Sequence, residues 1–420
     1  MTTSKQITGK IYPWIVVALL WVVALLNYLD RQMLSTMADS MKVDISELQD
    51  PKYFGYLMAV FLWIYGLMSP LAGVIADRMS RKWLIVGSLL VWSAVTFLMG
   101  MSSSYNTIFV LRAIMGISEA LYIPAGLALI TEYHTGRTRS LAVGIHMTGL
   151  YMGQALGGFG ATVAHHFSWQ TTFISFGLAG VVYAFVLAMA LRDKREVSVI
   201  GQKSAVSNPD AIPFGKGLKR LFGNVAFWVI LIYFAAPSLP GWATKNWLPT
   251  LFRDSLGIDM QHAGPLSTIS IAFSSFVGVI VGGMLSDRWV QRNLRGRVYI
   301  GAIGLALTIP ALIFLGLGHG MVTIIGAALC FGVGYGMFDA NNMPILCQFV
   351  PDNLRSTAYG FMNMVGVFSG ALITQVLGAW TGEGNLGLGF AMLAGIVLVA
   401  LLLQITILRP KYVDMKSENF

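Results

Sequence analysis

The stretch RAIMGISEA, residues 112–120, carries an arginine and a glutamate inside an apolar run from Ile108 to Ile130. Arg112 and Glu119 are two helical turns apart, so both charges share one helix face at about 10 Å along the axis. A charge at the middle of a bilayer costs about 2.5–3.5 kcal/mol on the insertion scale. The two side chains therefore need charged partners or a polar cavity within a membrane protein.

Four more ionisable residues fall within predicted membrane segments: Asp30, Arg31, Lys245 and Asp339. An arginine binds a carboxylate or phosphate through two parallel hydrogen bonds and stays charged at every physiological pH. A low-dielectric cavity favours the protonated form of an acid, and a neighbouring arginine opposes this. Anion binding at an arginine can thus be coupled to proton binding at an acid. The alternative is that these charges pair off and only hold helices together, or that Asp30 and Arg31 lie at a hydrated helix end.

Polar and aromatic side chains on the same segments can complete a small-molecule site. The predicted substrate contacts are Tyr28, Tyr65, Tyr122, Lys245, Asn246, Asn342 and Asn363. The alternative for each is an interfacial belt or an interhelical hydrogen bond, and we expect Trp247 in the belt. The sequence shows no His cluster with metal-ligand spacing, no nucleophile motif and no cofactor loop, so neither an enzyme nor a cofactor is expected.

The composition defines the class of protein that holds these groups. The chain has 420 residues, of which 56% are hydrophobic and only 11% charged, whereas a soluble domain has about 25% charged residues. Apolar stretches of about 20 residues favour helices over a membrane β-barrel. Twelve membrane segments are predicted, at 13–37, 54–75, 83–101, 105–131, 140–164, 169–191, 225–251, 264–285, 298–317, 321–347, 356–379 and 386–408.

The distribution of Lys and Arg predicts the orientation. With both termini inside, the inner loops and tails hold 22 of the 28 basic residues, and the outer loops hold Lys42, Lys52 and Arg253. This is the positive-inside pattern of a multi-pass protein in the cell membrane. The net charge of +9 is explained in this way, so no nucleic-acid partner is expected.

The two halves of the chain resemble each other. Gly-x-x-x-Asp-Arg at 73–78 recurs at 283–288, Gly-x-x-Glu-Ala at 116–120 recurs as Gly-x-x-Asp-Ala at 336–340, and Arg-Ser-x-Ala-x-Gly at 139–144 recurs at 355–360. Such repetition indicates a duplicated six-helix unit with a transport pathway between the copies. We predict domains at 1–191 and 224–420, joined by a polar cytoplasmic linker at 192–223.

The stretch GVIADRMSRK, residues 73–82, resembles the loop signature of the major facilitator superfamily and departs from it only at Ser80, where that family prefers glycine. The resemblance implies twelve helices in two pseudo-symmetric six-helix bundles, alternating access to a central site and no covalent chemistry. Residues near the loop and its repeat are predicted to latch one conformation. They are Gly73, Asp77, Arg78, Arg81, Asp287 and Arg288.

NYLDR (27–31), the W-x-Y at 63–65 and RAIMGISEA resemble the anion–cation symporters, which carry sugar acids and other organic anions. The resemblance implies that Asp30 and Glu119 carry protons, that Arg112 couples them and that Arg31 binds the substrate carboxylate. It also makes Tyr28, Tyr65 and Asn363 cavity contacts. The match is weaker in the second half and at Leu150, where a polar residue is expected.

The leading hypothesis is a monomeric, proton-coupled importer of a small organic anion such as a hexuronate or aldonate. The proton gradient would be the only driving force, with the lipid bilayer, protons and the anion as partners. The same motifs also resemble spinster-type lipid transporters, so export of a lysolipid or an amphipathic, drug-like compound is the alternative. A channel or an intramembrane enzyme has little support, because neither a selectivity filter nor a catalytic motif is present.

Overall fold

The computed structural model describes residues 2–134, 138–192, 219, 221–351 and 354–415. Side chains of the first ten residues and of Val74, Asp77, Arg78, Ser140 and Ser356 are outside this description. The described part of the chain is helical, and no strand occurs in it. The predicted linker at 192–223 falls almost wholly outside the described residues.

The helices follow the apolar runs of the sequence. The first nine elements are α1 (Thr2–Thr36), α2 (Ala38–Asp44), a 3₁₀ helix (Ser46–Gln49), α3 (Pro51–Arg78), α4 (Arg81–Gly100), α5 (Tyr105–Tyr133), α6 (Arg139–Gly157), α7 (Gly160–His166) and α8 (Trp169–Ala190). They are followed by α9 (Val225–Leu256), α10 (Met260–Val290), α11 (Gly296–Leu317), α12 (Met321–Asp339), α13 (Asn342–Phe349), α14 (Arg355–Gly382) and α15 (Leu386–Ile407).

Helix ends are set by local side chains. Ser80 begins α4 by accepting a hydrogen bond from the Trp83 N–H, and Asn224 begins α9 by accepting from the Ala226 N–H. Both satisfy backbone donors that the first turn of a helix leaves unpaired. Gly257 ends α9 with a left-handed φ of 64°, which glycine adopts at little cost because it has no Cβ.

Eleven helices in the described part of the chain are long and apolar enough to cross a membrane, one fewer than the twelve predicted segments. The difference is the segment predicted at 140–164. It forms α6 and α7, which are separated at Gly158 and Phe159, and it carries polar groups at His146 and Gln154. A second predicted segment, 321–347, is interrupted at Ala340 and Asn341 between α12 and α13.

Contacts divide the chain into two compact units. The first unit contains Met1–Gln49 and Leu67–Ala205, and the second contains Asp50–Gly66 and Val206–Phe420. The first half of α3 is thus grouped with the second unit. Within the first unit, α1 packs on α6 and α4 packs on both α5 and α8. Within the second, α9 packs on α14 and α11 packs on both α12 and α15. These three pairings recur in the two units, and the second unit adds the packing of α10 on α12.

Each unit has a core of large aromatic side chains. Trp92, Tyr122 and Trp169 are buried in the first unit, and Tyr233 and Trp247 in the second. The burial of Trp247 corrects the expectation that it lies in an interfacial belt. Its indole Nε1–H donates to the carbonyl oxygen of Thr374 at 3.1 Å, because this tryptophan faces α14 within its own unit.

Candidate functional site

A buried ion pair between α1 and α5 lies within the first unit. The Nε–H of Arg31 donates to Oε2 of Glu119. The Arg31 side chain is 11% exposed and the Glu119 side chain is fully buried. The guanidinium carbon of Arg31 is also 5.1 Å from the ring centroid of Tyr28, a distance suited to a cation–π contact. Removing one partner of such a pair would leave an uncompensated charge in the protein interior.

Asp30 and Arg112 belong to the same charged cluster. Both are buried, and Asp30 interacts electrostatically with Glu119 and with Arg112. Arg112 in turn interacts electrostatically with Arg31, and its Nη1–H donates to the thioether sulfur of Met115 at 3.1 Å. The four charges chosen from sequence are therefore brought together in one unit, with two acids balanced by two arginines.

Thr96 on α4 contacts Asp30. Thr96 Oγ1 is 3.3 Å from Asp30 Oδ2 and 3.0 Å from the carbonyl oxygen of Trp92. Sequence reasoning missed Thr96, because a threonine in an apolar helix is common and one sequence gives no signal that sets it apart.

Tyr122 lies in the interior of the first unit. Its O–H donates to the carbonyl oxygen of Leu20 at 2.8 Å, and its oxygen is 2.9 Å from Nε2 of His146. These contacts tie α5 to α1 and α6, while its predicted substrate contact stays a prediction. His146 was missed, although a titratable ring in a predicted membrane segment was a usable signal.

In the second unit, Lys245 and Asp339 interact electrostatically. The ammonium nitrogen of Lys245 is 4.7 Å from the ring centroid of Trp242. The side-chain amide of Asn342 donates to Oδ1 of Asp339 at 3.1 Å. Lys245 and Asn342 therefore both interact with Asp339, and all three were chosen from the sequence. Asp339 is the last residue of α12, just before the helical segment is interrupted at Ala340 and Asn341.

The other candidates of the second unit are placed elsewhere. The side-chain amide of Asn246 donates to Thr374 Oγ1 at 2.8 Å, so this residue faces α14. Tyr65 is buried with its ring centroid 5.8 Å from that of Phe61. Asn363 is half-buried on α14. Their roles in substrate binding stay predictions.

The predicted latch residues are partly described. Arg81 pairs with Glu132 on α5 and donates from Nη1 to the carbonyl oxygen of Ala128 at 3.1 Å. A Cβ added at Gly73 would meet nothing within 4 Å, so no close packing explains this glycine. The side chains of Asp77 and Arg78, also predicted for the latch, lie outside the described residues.

In the second copy of the loop motif, at 283–288, Asp287 and Arg288 are both exposed. Asp287 Oδ1 is 4.0 Å from Nη2 of Arg297, and Arg288 lies beside it on the last turn of α10. The 76% exposure of the Asp287 side chain makes this a weak ion pair.

A cavity of about 390 Å³ lies in the second unit, away from these residues. Its walls include Leu251, Asp254, Thr381 and Leu386, at the ends of α9 and α14 and the start of α15. None of the residues chosen from sequence lines it, so it adds nothing to the candidate site.

Comparison with known proteins shows which family this helical chain belongs to. A family model described as Major Facilitator Superfamily matches residues 20–374, and the chain belongs to this superfamily of multi-pass membrane transporters. Its relatives include the hexuronate transporter of Escherichia coli, which is 25% identical over 425 residues, covering 95% of this chain and 94% of the relative. The 4-hydroxybenzoate transporter PcaK of Pseudomonas aeruginosa is 26% identical over 431 residues, covering 94% and 92% of the two chains.

A solved structure has the same fold. The crystal structure of a bacterial homologue of the human lysosomal transporter Spinster, in an inward-facing and occupied conformation, matches with a TM-score of 0.75. It covers 94% of this chain and 96% of its own chain at 17% sequence identity. At this identity the likeness shows the fold alone.

Proposed function

We propose that the chain is a secondary active transporter that couples the uptake of a small organic anion to protons by alternating access. The anion is a sugar acid, such as a hexuronate or an aldonate. The observation that carries the proposal is the buried Arg31–Glu119 ion pair, with Asp30 and Arg112 beside it. The names of the relatives, which include a hexuronate transporter, support an organic acid as substrate.

The ion pair gives a physical route to coupling. A substrate carboxylate competes with Glu119 for the guanidinium of Arg31, which binds carboxylates through two parallel hydrogen bonds. Displacing Glu119 leaves its carboxylate buried without its cation, which is costly unless the group takes up a proton. Anion and proton therefore bind together more readily than either does alone.

Charge balance in the cluster favours the same conclusion. Asp30 and Glu119 contribute two negative charges, and Arg31 and Arg112 contribute two positive charges. An anion that entered without a proton would leave one uncompensated negative charge in a buried site. A monoanion with one proton keeps the sum unchanged.

Lys245 and Asn342 are predicted as further substrate contacts. Lys245 offers a second cation, whose charge is offset by Asp339 when no anion is present. Asn342 offers amide groups of the kind that bind sugar hydroxyls. The protein would lie in the cell membrane with both termini in the cytoplasm, in line with the distribution of Lys and Arg. We also propose that it acts as a monomer.

Reconstituted transport tests this function. Proteoliposomes with an inward proton gradient should accumulate at least one sugar acid from a radiolabelled panel of hexuronates and aldonates, with 4-hydroxybenzoate as an aromatic comparison. Arg31→Ala should abolish accumulation, because the carboxylate loses its cation. Arg253→Ala is the matched control, because that arginine pairs with the exposed Asp254 next to it.

A specific result would overturn the proposal. If neither the wild-type protein nor Arg31→Ala accumulates any sugar monocarboxylate, the chain is not such a symporter. Outward movement of a lysolipid or a dye that sugar acids do not inhibit would instead support the exporter alternative.

A further inference from the structure

The segment 412–415, which follows α15, is held by its backbone against the second unit. Three of its carbonyl oxygens each accept a hydrogen bond from a side chain. The pairs are Gln348 Nε2 to Tyr412 at 3.2 Å, Arg297 Nη1 to Val413 at 3.1 Å and Arg355 Nη2 to Met415 at 2.8 Å. The donors belong to α13, α11 and α14. We call the segment 412–415 the strap, because it joins three helices.

The three donors are largely withdrawn from solvent. Gln348 is 1% exposed, and the side chains of Arg297 and Arg355 are 13% and 22% exposed. The side chain of Asp414 adds little, because its Oδ1 is 3.8 Å from Arg355 Nη2 and it is 60% exposed. The strap is therefore recognised mainly through its main chain, as are peptides that bind by backbone hydrogen bonds.

The short helix α13 also receives a hydrogen bond from the strap. It has eight residues and is separated from α12 at Ala340 and Asn341, and a helix of two turns is not stable by itself. The Cys347 carbonyl is one of the last four, which a helix leaves without an internal partner. It accepts from the Met415 N–H at 2.9 Å and from Arg355 Nη2 at 3.2 Å. The strap therefore completes the C-terminal end of α13.

The other end of α13 carries a predicted substrate contact. Asn342 is its first residue, and the Asn342 amide donates to Oδ1 of Asp339 at 3.1 Å. Eight helical residues span only about 12 Å. A shift of the end that the strap holds would therefore be transmitted to Asn342 and to its contact with Asp339.

We propose that the strap is a conformational device that fixes α13 and thereby positions Asn342 and Asp339 for the substrate. The proposal rests on the proposed function and deepens it, because it makes these contacts depend on residues that follow α15. With the strap bound, α13 is anchored at Asn342 and at Cys347. With the strap released, the Cys347 carbonyl loses the Met415 N–H, and α13 can turn about the interruption that precedes it.

Labelling of Cys347 tests the strap without any transport. The Cys347 thiol is half-buried and interacts electrostatically with Asp414. In a Cys330→Ser background, a chain that stops at Leu408 lacks the strap and a chain that stops at Met415 keeps it. The first should react with a thiol reagent at least about tenfold faster, because each net hydrogen bond lost is worth a factor of about two to ten. Equal rates would overturn the proposal.

Single substitutions in the 420-residue chain guard against misfolding of the shortened one. Met415→Pro removes the N–H that donates to the Cys347 carbonyl and should raise the labelling rate about two- to tenfold. Met415→Ala keeps this N–H and is the matched control, with the rate of the wild type. Equal rates in Met415→Pro and Met415→Ala would contradict the proposal.

A charge control separates coverage of the thiol from electrostatics. Asp414→Asn removes the acid near the Cys347 thiol and keeps the backbone of the strap. It should change the labelling rate by less than about twofold, because Asp414 is exposed and its charge is screened. A rate as high as that of the chain that stops at Leu408 would show that charge alone controls the thiol, and would contradict the proposal.

Transport kinetics test the positioning of the substrate contacts. The chain that stops at Leu408 should have a KM for the sugar acid at least about fivefold above that of the chain that stops at Met415, the equivalent of one net hydrogen bond, with kcat nearly unchanged. An unchanged KM together with a reactive Cys347 would overturn the positioning role. If neither chain transports a sugar acid, the proposed function fails, and the labelling rates still decide whether the strap holds α13.

Discussion

At the scale of single residues, Glu119 links the two ligands of the proposed cycle. Its carboxylate is the partner of Arg31 in the absence of an anion. In the proposed cycle it becomes a proton acceptor once an anion occupies that arginine. The same group would then sense the anion and bind the proton, and its charge is the property to test.

Glu119→Gln keeps the size of this side chain and removes its charge. Uphill uptake driven by protons should be lost, because position 119 no longer changes charge. Downhill exchange of labelled for unlabelled substrate should persist. Measuring accumulation and counterflow in the same proteoliposomes separates the two. Equal loss of both activities would show that Glu119 is structural.

Tyr122 gives a second test at this scale. Tyr122→Phe removes the hydroxyl that contacts Leu20 and His146. The free energy of unfolding should fall by about 1–3 kcal/mol, the usual cost of leaving a buried polar group unpaired. Thermal unfolding in detergent measures this effect.

The KM for the anion should stay within about twofold of wild type if Tyr122 serves only packing. A KM raised more than about tenfold at unchanged stability would make Tyr122 a substrate ligand, as the sequence predicts. Tyr183→Phe is a suitable comparison, because that hydroxyl also donates to a carbonyl oxygen of α1, at Leu19.

At the scale of elements, α4 and α5 are joined at two levels. Ser88 donates to the carbonyl oxygen of Ser118 in the middle of the helices. Arg81, at the start of α4, pairs with Glu132 near the end of α5. Asp30 contacts α4 and Arg31 contacts α5. The two contacts between α4 and α5 therefore stabilise the helices that surround the charged cluster.

Removing the Arg81–Glu132 ion pair should weaken the packing of α4 on α5. Arg81→Ala should reduce the free energy of unfolding by about 1–3 kcal/mol, less than for a fully buried pair because Glu132 is partly exposed. A double-mutant cycle with Glu132→Gln isolates the interaction energy. Strictly additive effects of the two substitutions would show that the ion pair contributes nothing.

At the scale of the whole molecule, the chain repeats one helical plan twice. The packing of α1 on α6 and of α4 on α8 recurs as α9 on α14 and α11 on α15. The charges do not repeat in the same way. The buried cluster of the first unit contains two acids and two arginines, whereas in the second unit Lys245 interacts with Asp339. The two units therefore share these helix pairings but differ in their charged side chains.

The predicted orientation is testable by cysteine labelling. In a variant whose native Cys330 and Cys347 are replaced by serine, His165→Cys should react with a membrane-impermeant thiol reagent added to intact cells. Arg409→Cys should react only after the membrane is permeabilised. This follows from the concentration of Lys and Arg on the inner side, and the reverse pattern of labelling would contradict it.

The charged cluster was predictable because its members violate the apolar pattern around them. An ionisable side chain in a membrane helix is conspicuous in any single sequence, and Asp30, Arg31, Arg112 and Glu119 were found in this way. The neighbour Thr96 is not conspicuous. It is an ordinary residue of an apolar helix, and only its contact with Asp30 on α1 sets it apart.

Hydropathy and charge determined the class of protein, because a bilayer forces long apolar helices and a biased distribution of Lys and Arg. The internal repeat predicts two similar halves. Tertiary structure decided which charges pair, that Tyr122 faces His146 and that Trp247 is buried. It also decided that two predicted helical segments are interrupted, one before α7 and one before α13. These outcomes depend on contacts between segments distant in sequence, and a helical pattern specifies the face of a residue but not its neighbour.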